Sequence, residues 1–294
     1  MNYYAFCRQK KCFDFILVCK YTVTRFICIF VVDFIASMDK KEYFTTASQV
    51  TTHMQSLANE QQAKHLMRFF KTGKGDYGFG DKFLGIKVPE TRVVAARAKS
   101  LPLAEVGTLL DSQWHEVRLC GLLVLVEKFE TLCSKRLLQD RGSIESRDAI
   151  VQFYLAHAHS ANNWDLVDLS VYKILGRWLF VPSHLSDEEK ISIIDRLASS
   201  DDLWQQRMSV VCTMWPLKVG DASFTLRYAE KHLKHSHDLM HKAVGWLLRE
   251  MGKRVGMDLL RDFLSLHSAE MPRTMLRYAI EHMSDDERKQ WMKK

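Results

Sequence analysis

Glycine and proline are scarce in this sequence, at 13 and 5 of 294 residues. So few turn formers disfavour a many-stranded β fold and leave long helices as the economical way to use the chain. Cysteine offers no framework either. The seven cysteines, at 7, 12, 19, 28, 120, 133 and 212, are odd in number, form no CxxC pair and have no histidine set at zinc-ligand spacing. A disulfide scaffold and a structural metal are therefore not expected, and no cofactor motif is present. Long uncharged apolar runs are missing too. Phe13 to Ala36 is rich in Phe, Ile, Val and Cys, but Asp14, Lys20, Arg25 and Asp33 interrupt it. The uncharged stretches fall short of the roughly 18 residues a membrane span requires. Ile35-Ala36-Ser37 is only a weak match to a signal-peptide cleavage site.

What is present suits a soluble domain. Hydrophobic residues make up 47% and charged residues 26% of the chain, ordinary values for a packed core with a polar surface. The formal charge is +7 and the sequence pI about 9.0, which points to an anionic partner without naming it. Residues 1–37 hold five of the basic and two of the acidic residues, so the remainder carries 37 against 33, or +4. Such an excess matters only when it gathers on one face. The β-branched and aromatic character of residues 1–37 ends at Met38. We read 1–37 as an extension outside the fold, with translation naturally beginning at Met38 and a weak membrane or targeting segment as the alternative, and 38–294 as a single helical domain. Cys120, Cys133 and Cys212 sit among apolar helical residues and are expected to be reduced core residues of a cytoplasmic, bacterial-type protein.

After Met38 the apolar residues recur at three- and four-residue steps, as in Val117, Gly121, Val124, Leu125 and Phe129, or Val244, Leu247, Leu248 and Met251. Breaks are expected at Thr72 to Asp81, at Ser100-Leu101-Pro102, at Val181-Pro182-Ser183, near Pro216 and at Met271-Pro272. Ser186 and Ser284, each with Glu three residues on, have the pattern of capping boxes. Four segments are loosely alike: Asp111 to Arg118, Asn162 to Asp168, Asp201 to Arg207 and Ser236 to Lys242. In each a polar cap precedes a bulky apolar residue, and a charged residue follows one helical turn later. The charged positions 118, 168, 207 and 242 are spaced near the length of HEAT and armadillo repeats. The expected fold is all-α, a HEAT-like solenoid of stacked antiparallel helix pairs with a concave basic face. A plain helical bundle also has capped helix starts, and the pattern alone leaves both open.

Four strings carry a resemblance: Phe83-Leu-Gly-Ile-Lys-Val-Pro-Glu-Thr-Arg92, Asn163-Trp-Asp-Leu-Val-Asp168, Asp202-Leu-Trp-Gln-Gln-Arg207 and Lys242-Ala-Val-Gly-Trp-Leu-Leu-Arg-Glu250. In this order, from about Ala63 to about His282, the chain resembles the AlkD-type DNA alkylation repair glycosylases. The resemblance implies a HEAT-like fold and a monofunctional hydrolase that removes cationic N3- and N7-alkylpurines from duplex DNA in base excision repair. It places the catalytic carboxylate at Asp168, the site tryptophans at Trp164 and Trp246, and a DNA-contacting arginine at Arg207. Lys242 and Arg249 fall on the same surface, and Lys173, Arg177, Arg273 and Arg277 are expected on or near helices lining it. Duplex DNA is the implied partner, with nucleoid association when bound, no membrane and a monomer. The chain departs from the founding members in its longer, Gly-rich segment Thr72 to Asp81. It also has Phe69 or Phe70 near the place of an aromatic hydroxyl.

The chemistry fits these residue types. A base alkylated at N3 or N7 already carries positive charge and leaves without an acid, so one carboxylate can stabilise the sugar cation and orient water. An indole four residues earlier on a helix shares its face and attracts cationic bases, by about 0.5–2 kcal/mol. Taken without the resemblance, Asp168 reads equally as a helix-start carboxylate and the tryptophans as core aromatics. His237 and His241 share a helical face, but without an HExxH motif they read as surface histidines. The Gly-rich segment lacks a phosphate-loop signature and reads as a surface loop. A DNA-binding repeat protein without catalysis and a protein-scaffolding solenoid are the competing readings.

Overall fold

Side-chain caps fix where the helices begin. Thr46 and Gln49 form a reciprocal capping box, Asn59 accepts from the Gln62 amide, and Asp202 accepts from the amides of Trp204 and Gln205. Ser186 and Glu189 form the expected box. Ser284 accepts from the Glu287 amide, but the Glu287 carboxylate is turned to Arg261, 2.8 Å away, so that cap is one-sided.

The structure, a computed structural model, describes residues 43–293, and the expectations for residues 1–37, including Cys7, Cys12, Cys19 and Cys28, lie outside the described residues. The helices are α1 Ala47–Ser56, α2 Glu60–Phe69, α3 Val88–Arg97, α4 Leu103–Leu110, α5 His115–Leu132, α6 Arg141–Ala156, α7 Trp164–Val171, α8 Asp187–Ala198, α9 Leu203–Val211, α10 Met214–Lys218, α11 Ser223–Lys231, α12 Asp238–Arg254, α13 Met257–His267, α14 Arg273–Ala279 and α15 Asp285–Lys293. Among the described residues no strand forms; an isolated parallel bridge joins Lys82 to Trp114. No helix among them is long and apolar enough to cross a membrane.

Helices α5, α7, α9, α12 and α14 make a row in which each packs on the next, while α4, α6, α8, α11 and α13 each touch members of that row. This is an α-solenoid of helix pairs, contained in the unit Phe44–Lys294. A single pair cannot bury its own apolar stripe, so the core runs continuously along the stack. Helix α5 shows the consequence: Val117, Cys120, Val124, Leu125 and Phe129 are fully buried, and the helix is apolar nearly all round because it has neighbours on most sides. Cys120, Cys133 and Cys212 are free and buried. The four similar segments of the sequence are the starts of α5, α7, α9 and α12, which brings equivalent positions of successive repeats side by side.

The break expected near Pro216 falls at Cys212 and Thr213, and Pro216 itself lies within the first turn of α10, where its missing N–H has no partner to lose. Helix α7 also runs directly into a π-helical turn, Tyr172–Gly176, for which the apolar spacing gave no signal.

Candidate active site at the helix starts

Helix α7 carries the centre of the site. Asn163 caps it, accepting from the Trp164 amide at 2.9 Å, and the first two turns then present Trp164, Asp165 and Asp168. The Asp168 side chain is 17% exposed and accepts two hydrogen bonds from Arg207 of α9: Nε to Oδ1 at 2.9 Å and Nη2 to Oδ2 at 2.9 Å. The third edge of the guanidinium donates to the Leu239 carbonyl at 2.6 Å. Burial pushes the Asp168 carboxyl up from its ordinary value, Arg207 pulls it down, and neighbouring Asp165 adds to the rise. A carboxylate has about four lone-pair sites, so the fork leaves acceptor capacity on both oxygens.

Behind Trp164 lies a buried chain of charge. His115, at the start of α5, donates through Nδ1 to Asp81 at 2.7 Å and through Nε2 to Asp165 at 2.9 Å, and Arg118 donates to Asp81 at 2.6 Å. Burial disfavours a charged imidazole, but Asp165 and then Asp81 outweigh it and lift His115 to about 9. Both ring nitrogens therefore act as donors. Phe83 stacks on His115 at 4.4 Å, and Phe70 stacks on Trp164 at 5.2 Å. The next acidic residue, Glu116, accepts from the amides of Leu84, Gly85 and Ile86 at 2.9, 2.8 and 3.2 Å. Gly85 is required here. Its φ is +86°, and a Cβ would stand 2.1 Å from the Asn59 carbonyl oxygen. The string Phe83 to Ile86 is thus a tie that fastens the N-terminal helices to α5 and, through His115, to α7.

The Gly-rich segment, read from sequence as a surface loop, reaches this site. The Gly78 amide donates back to Lys71. Between them Tyr77 turns its ring edge-on to Trp204 at 6.0 Å. The Tyr77 hydroxyl lies beside the Trp164 indole and in the field of Lys242, Asp165 and Asp76; burial, ahead of these, raises it above the ordinary tyrosine range. Phe69, 57% exposed, sits edge-on to Trp164 at 5.8 Å. Phe69 was noted from sequence only as one of two residues near the place of an aromatic hydroxyl, and Tyr77, His115 and Asp165 were not singled out. The available signals were an aromatic among glycines and a histidine in the first of the four similar segments.

The expected cations fall into different places. Arg207 is 6% exposed and committed to Asp168. Lys242 is 39% exposed and paired with Asp238 at 2.8 Å; Trp246, half-buried, follows it by four residues and shares its helical face. Arg249 is 18% exposed and held by Glu281 and Glu250. Lys173 pairs with Glu130 at 3.4 Å, and Arg177 lies 4.8 Å from the Trp215 ring centroid. Arg273 is exposed and donates to the Met292 carbonyl, while Arg277 lines a shallow depression with Asp285, Arg288 and Lys289. The histidines expected on this helical face are engaged by nearby backbone: His237 accepts from the Leu239 amide, and His241 pairs with the His235 carbonyl. No metal-ligand cluster occurs among the described residues.

A structure described as a predicted DNA alkylation repair enzyme from Enterococcus faecalis superposes with a TM-score of 0.53 at 13% identity, covering 78% of this chain and 97% of that one. At that identity the likeness concerns the fold. A search of curated proteins finds no match. The family model for DNA alkylation repair enzymes matches residues 50–283. That range holds the tie, the Gly-rich loop and the four similar helix starts, and by this match the chain belongs to the DNA alkylation repair enzyme family.

Proposed function

We propose that the protein is a monofunctional DNA glycosylase that hydrolyses the N-glycosidic bond of cationic N3- and N7-alkylpurines in duplex DNA. The observation that carries this reading is Asp168, fixed on both oxygens by Arg207 yet still open to the outside, one helical turn after Trp164. A carboxylate locked in this way is preorganised: it needs no rearrangement to face a developing positive charge.

The lesion supplies leaving-group activation. As the bond from C1′ to the base nitrogen breaks, the electron pair leaves with the base, which becomes neutral, and positive charge develops on the sugar. Asp168 stabilises that charge. A water oxygen then bonds to C1′, and its proton passes to the carboxylate and on to solvent. Burial, which raises Asp168 from its ordinary value, strengthens it as a proton acceptor. Trp164, Trp246 and Tyr77 form aromatic walls on which a cationic base gains attraction. Because water is the nucleophile, no covalent enzyme–DNA intermediate forms. The role of Arg207 in this reading is to hold Asp168, and its contact with DNA is secondary.

The bidentate pair also favours one competing reading, a DNA-binding repeat protein in which Asp168 is structural. Incubating purified protein with methylated duplex DNA and measuring released bases decides between them. Release that disappears in Asp168→Asn supports the glycosylase; no release, or equal release by that variant, removes it.

A further inference from the structure

One turn beyond Asp168 the chain gathers cations that the proposed reaction does not use. The π turn Tyr172–Gly176 opens there, and Gly176 lets it press on the next repeat: a Cβ at 176 would lie 2.2 Å from the Cys212 carbonyl oxygen and 3.0 Å from the Trp215 Cβ. This close approach brings Tyr172 and Trp215 together around Lys218. The Lys218 ammonium lies 4.5 Å from the Tyr172 ring centroid and 5.5 Å from that of Trp215, and Arg177 covers Trp215 at 4.8 Å.

Positive charge is in excess at this place. Lys173 has Glu130 and Arg254 has Glu250. Arg177 gives one N–H to the Cys133 carbonyl at 3.2 Å, and Lys218, which is exposed, has no carboxylate within 4.0 Å among the described residues. Partial burial first, then Arg254 and Lys173, hold the Lys218 ammonium below the usual lysine range, against a smaller opposing effect of Glu130. Aromatic faces stabilise such cations only in part. A bound anion would relieve the repulsion among all of them.

We propose that Lys218, Arg177 and Lys173, framed by Tyr172 and Trp215, form an anchor for a backbone phosphate of duplex DNA next to the reacting nucleotide. Tyr172 follows Asp168 by four residues, a rise of about 6 Å along a helix, so the cluster stands within a nucleotide's length of the reacting position. The distance suits a phosphate flanking the lesion. The inference rests on the DNA-binding part of the reading above but not on catalysis.

The test is fluorescence anisotropy of the full chain with unmodified duplex DNA over a range of salt, for wild type, Lys218→Gln, Lys218→Gln/Arg177→Gln and the control Arg141→Gln. Arg141 is an exposed residue of α6 paired with Glu145. Losing one phosphate contact lowers the salt slope by about 0.9, equivalent to about eightfold weaker binding in roughly 0.1 M salt, and the double variant loses about twice that slope. The control retains wild-type slope. An unchanged slope in Lys218→Gln, or an equal loss in Arg141→Gln, overturns the anchor. Displacement of DNA by millimolar inorganic phosphate at constant ionic strength also overturns it, marking a small-anion pocket instead. If wild type releases no base while the slope still depends on Lys218, the glycosylase reading falls and the anchor stands.

Discussion

Asp168 and Arg207 meet as a two-pronged fork across neighbouring repeats, 39 residues apart, with both N–H···O distances at 2.9 Å. They occupy equivalent helix-start positions of α7 and α9, so the stacking of repeats itself brings the carboxylate and its partner together. Removing either side has a different consequence. Asp168→Asn keeps one acceptor for Arg207 and is expected to fold, with base release falling by about a hundredfold or more, the scale of losing one preorganised electrostatic group. Arg207→Ala leaves a buried charge unpaired and is expected to lose about 3–5 kcal/mol of stability by urea denaturation. A Tm within a degree of wild type for Arg207→Ala would contradict the buried pairing.

The imidazole of His115 bridges Asp81 and Asp165 and is lifted to about 9. Its folded value lies above the unfolded one, near 6.5. The stabilisation is therefore complete below about pH 6.5 and is lost as pH rises through about 9. The Tm of wild type should fall over this window, and His115→Gln should start lower and lose most of the dependence. Parallel curves for the two proteins would contradict the charged bridge.

Glu116 accepts three backbone amides from the tie. Glu116→Ala is expected to cost about 3 kcal/mol or more, since each stranded N–H costs about 1–3 kcal/mol. Amide hydrogen exchange should show Leu84 to Ile86 losing protection before the row helices do. Retained protection there would mean that other contacts hold the segment.

Tyr77 tests whether the Gly-rich loop belongs to the site. Tyr77→Phe removes only the hydroxyl beside Trp164. Base release is expected to fall about three- to tenfold with Tm little changed, the scale of one hydrogen bond. An unchanged rate would return the loop to a packing role.

Lys242 and Arg249 separate exposure from mere charge. Lys242 is 39% exposed against Asp238, whereas Arg249 is 18% exposed between Glu281 and Glu250. Lys242→Gln should weaken duplex DNA binding for every sequence and lower the salt slope by about 1, with Arg249→Gln doing less. The reverse order, read by filter binding at several salt concentrations, would count against this assignment.

The helices were legible in the sequence because they rest on local rules, while their stacking as a solenoid rather than a plain bundle was left open by the pattern and favoured by the family resemblance. Caps such as Ser186 and Asp202 and the three- and four-residue apolar spacing mark individual helices, and the positions 118, 168, 207 and 242 mark the spacing of their starts. Trp164 and Asp168 could be placed on one face because four residues make one helical turn. The roles of the cations were not legible. Charge and position along a helix do not say which carboxylate a side chain meets: Arg207 meets Asp168 of another helix, and Arg249 meets Glu281 in the turn after α14.

By itself, then, the sequence determined that helices form, roughly where each starts, and that four starts recur at a repeat-like spacing. Only the tertiary structure decided that Arg207 belongs to Asp168, that His115 lies between Asp81 and Asp165, and that Tyr77 reaches Trp164. The physical reason is distance along the chain. Hydrogen-bonded turns and caps join residues three or four apart, whereas these partners are 39, 34, 50 and 87 residues apart, and their meeting depends on how whole helices stack.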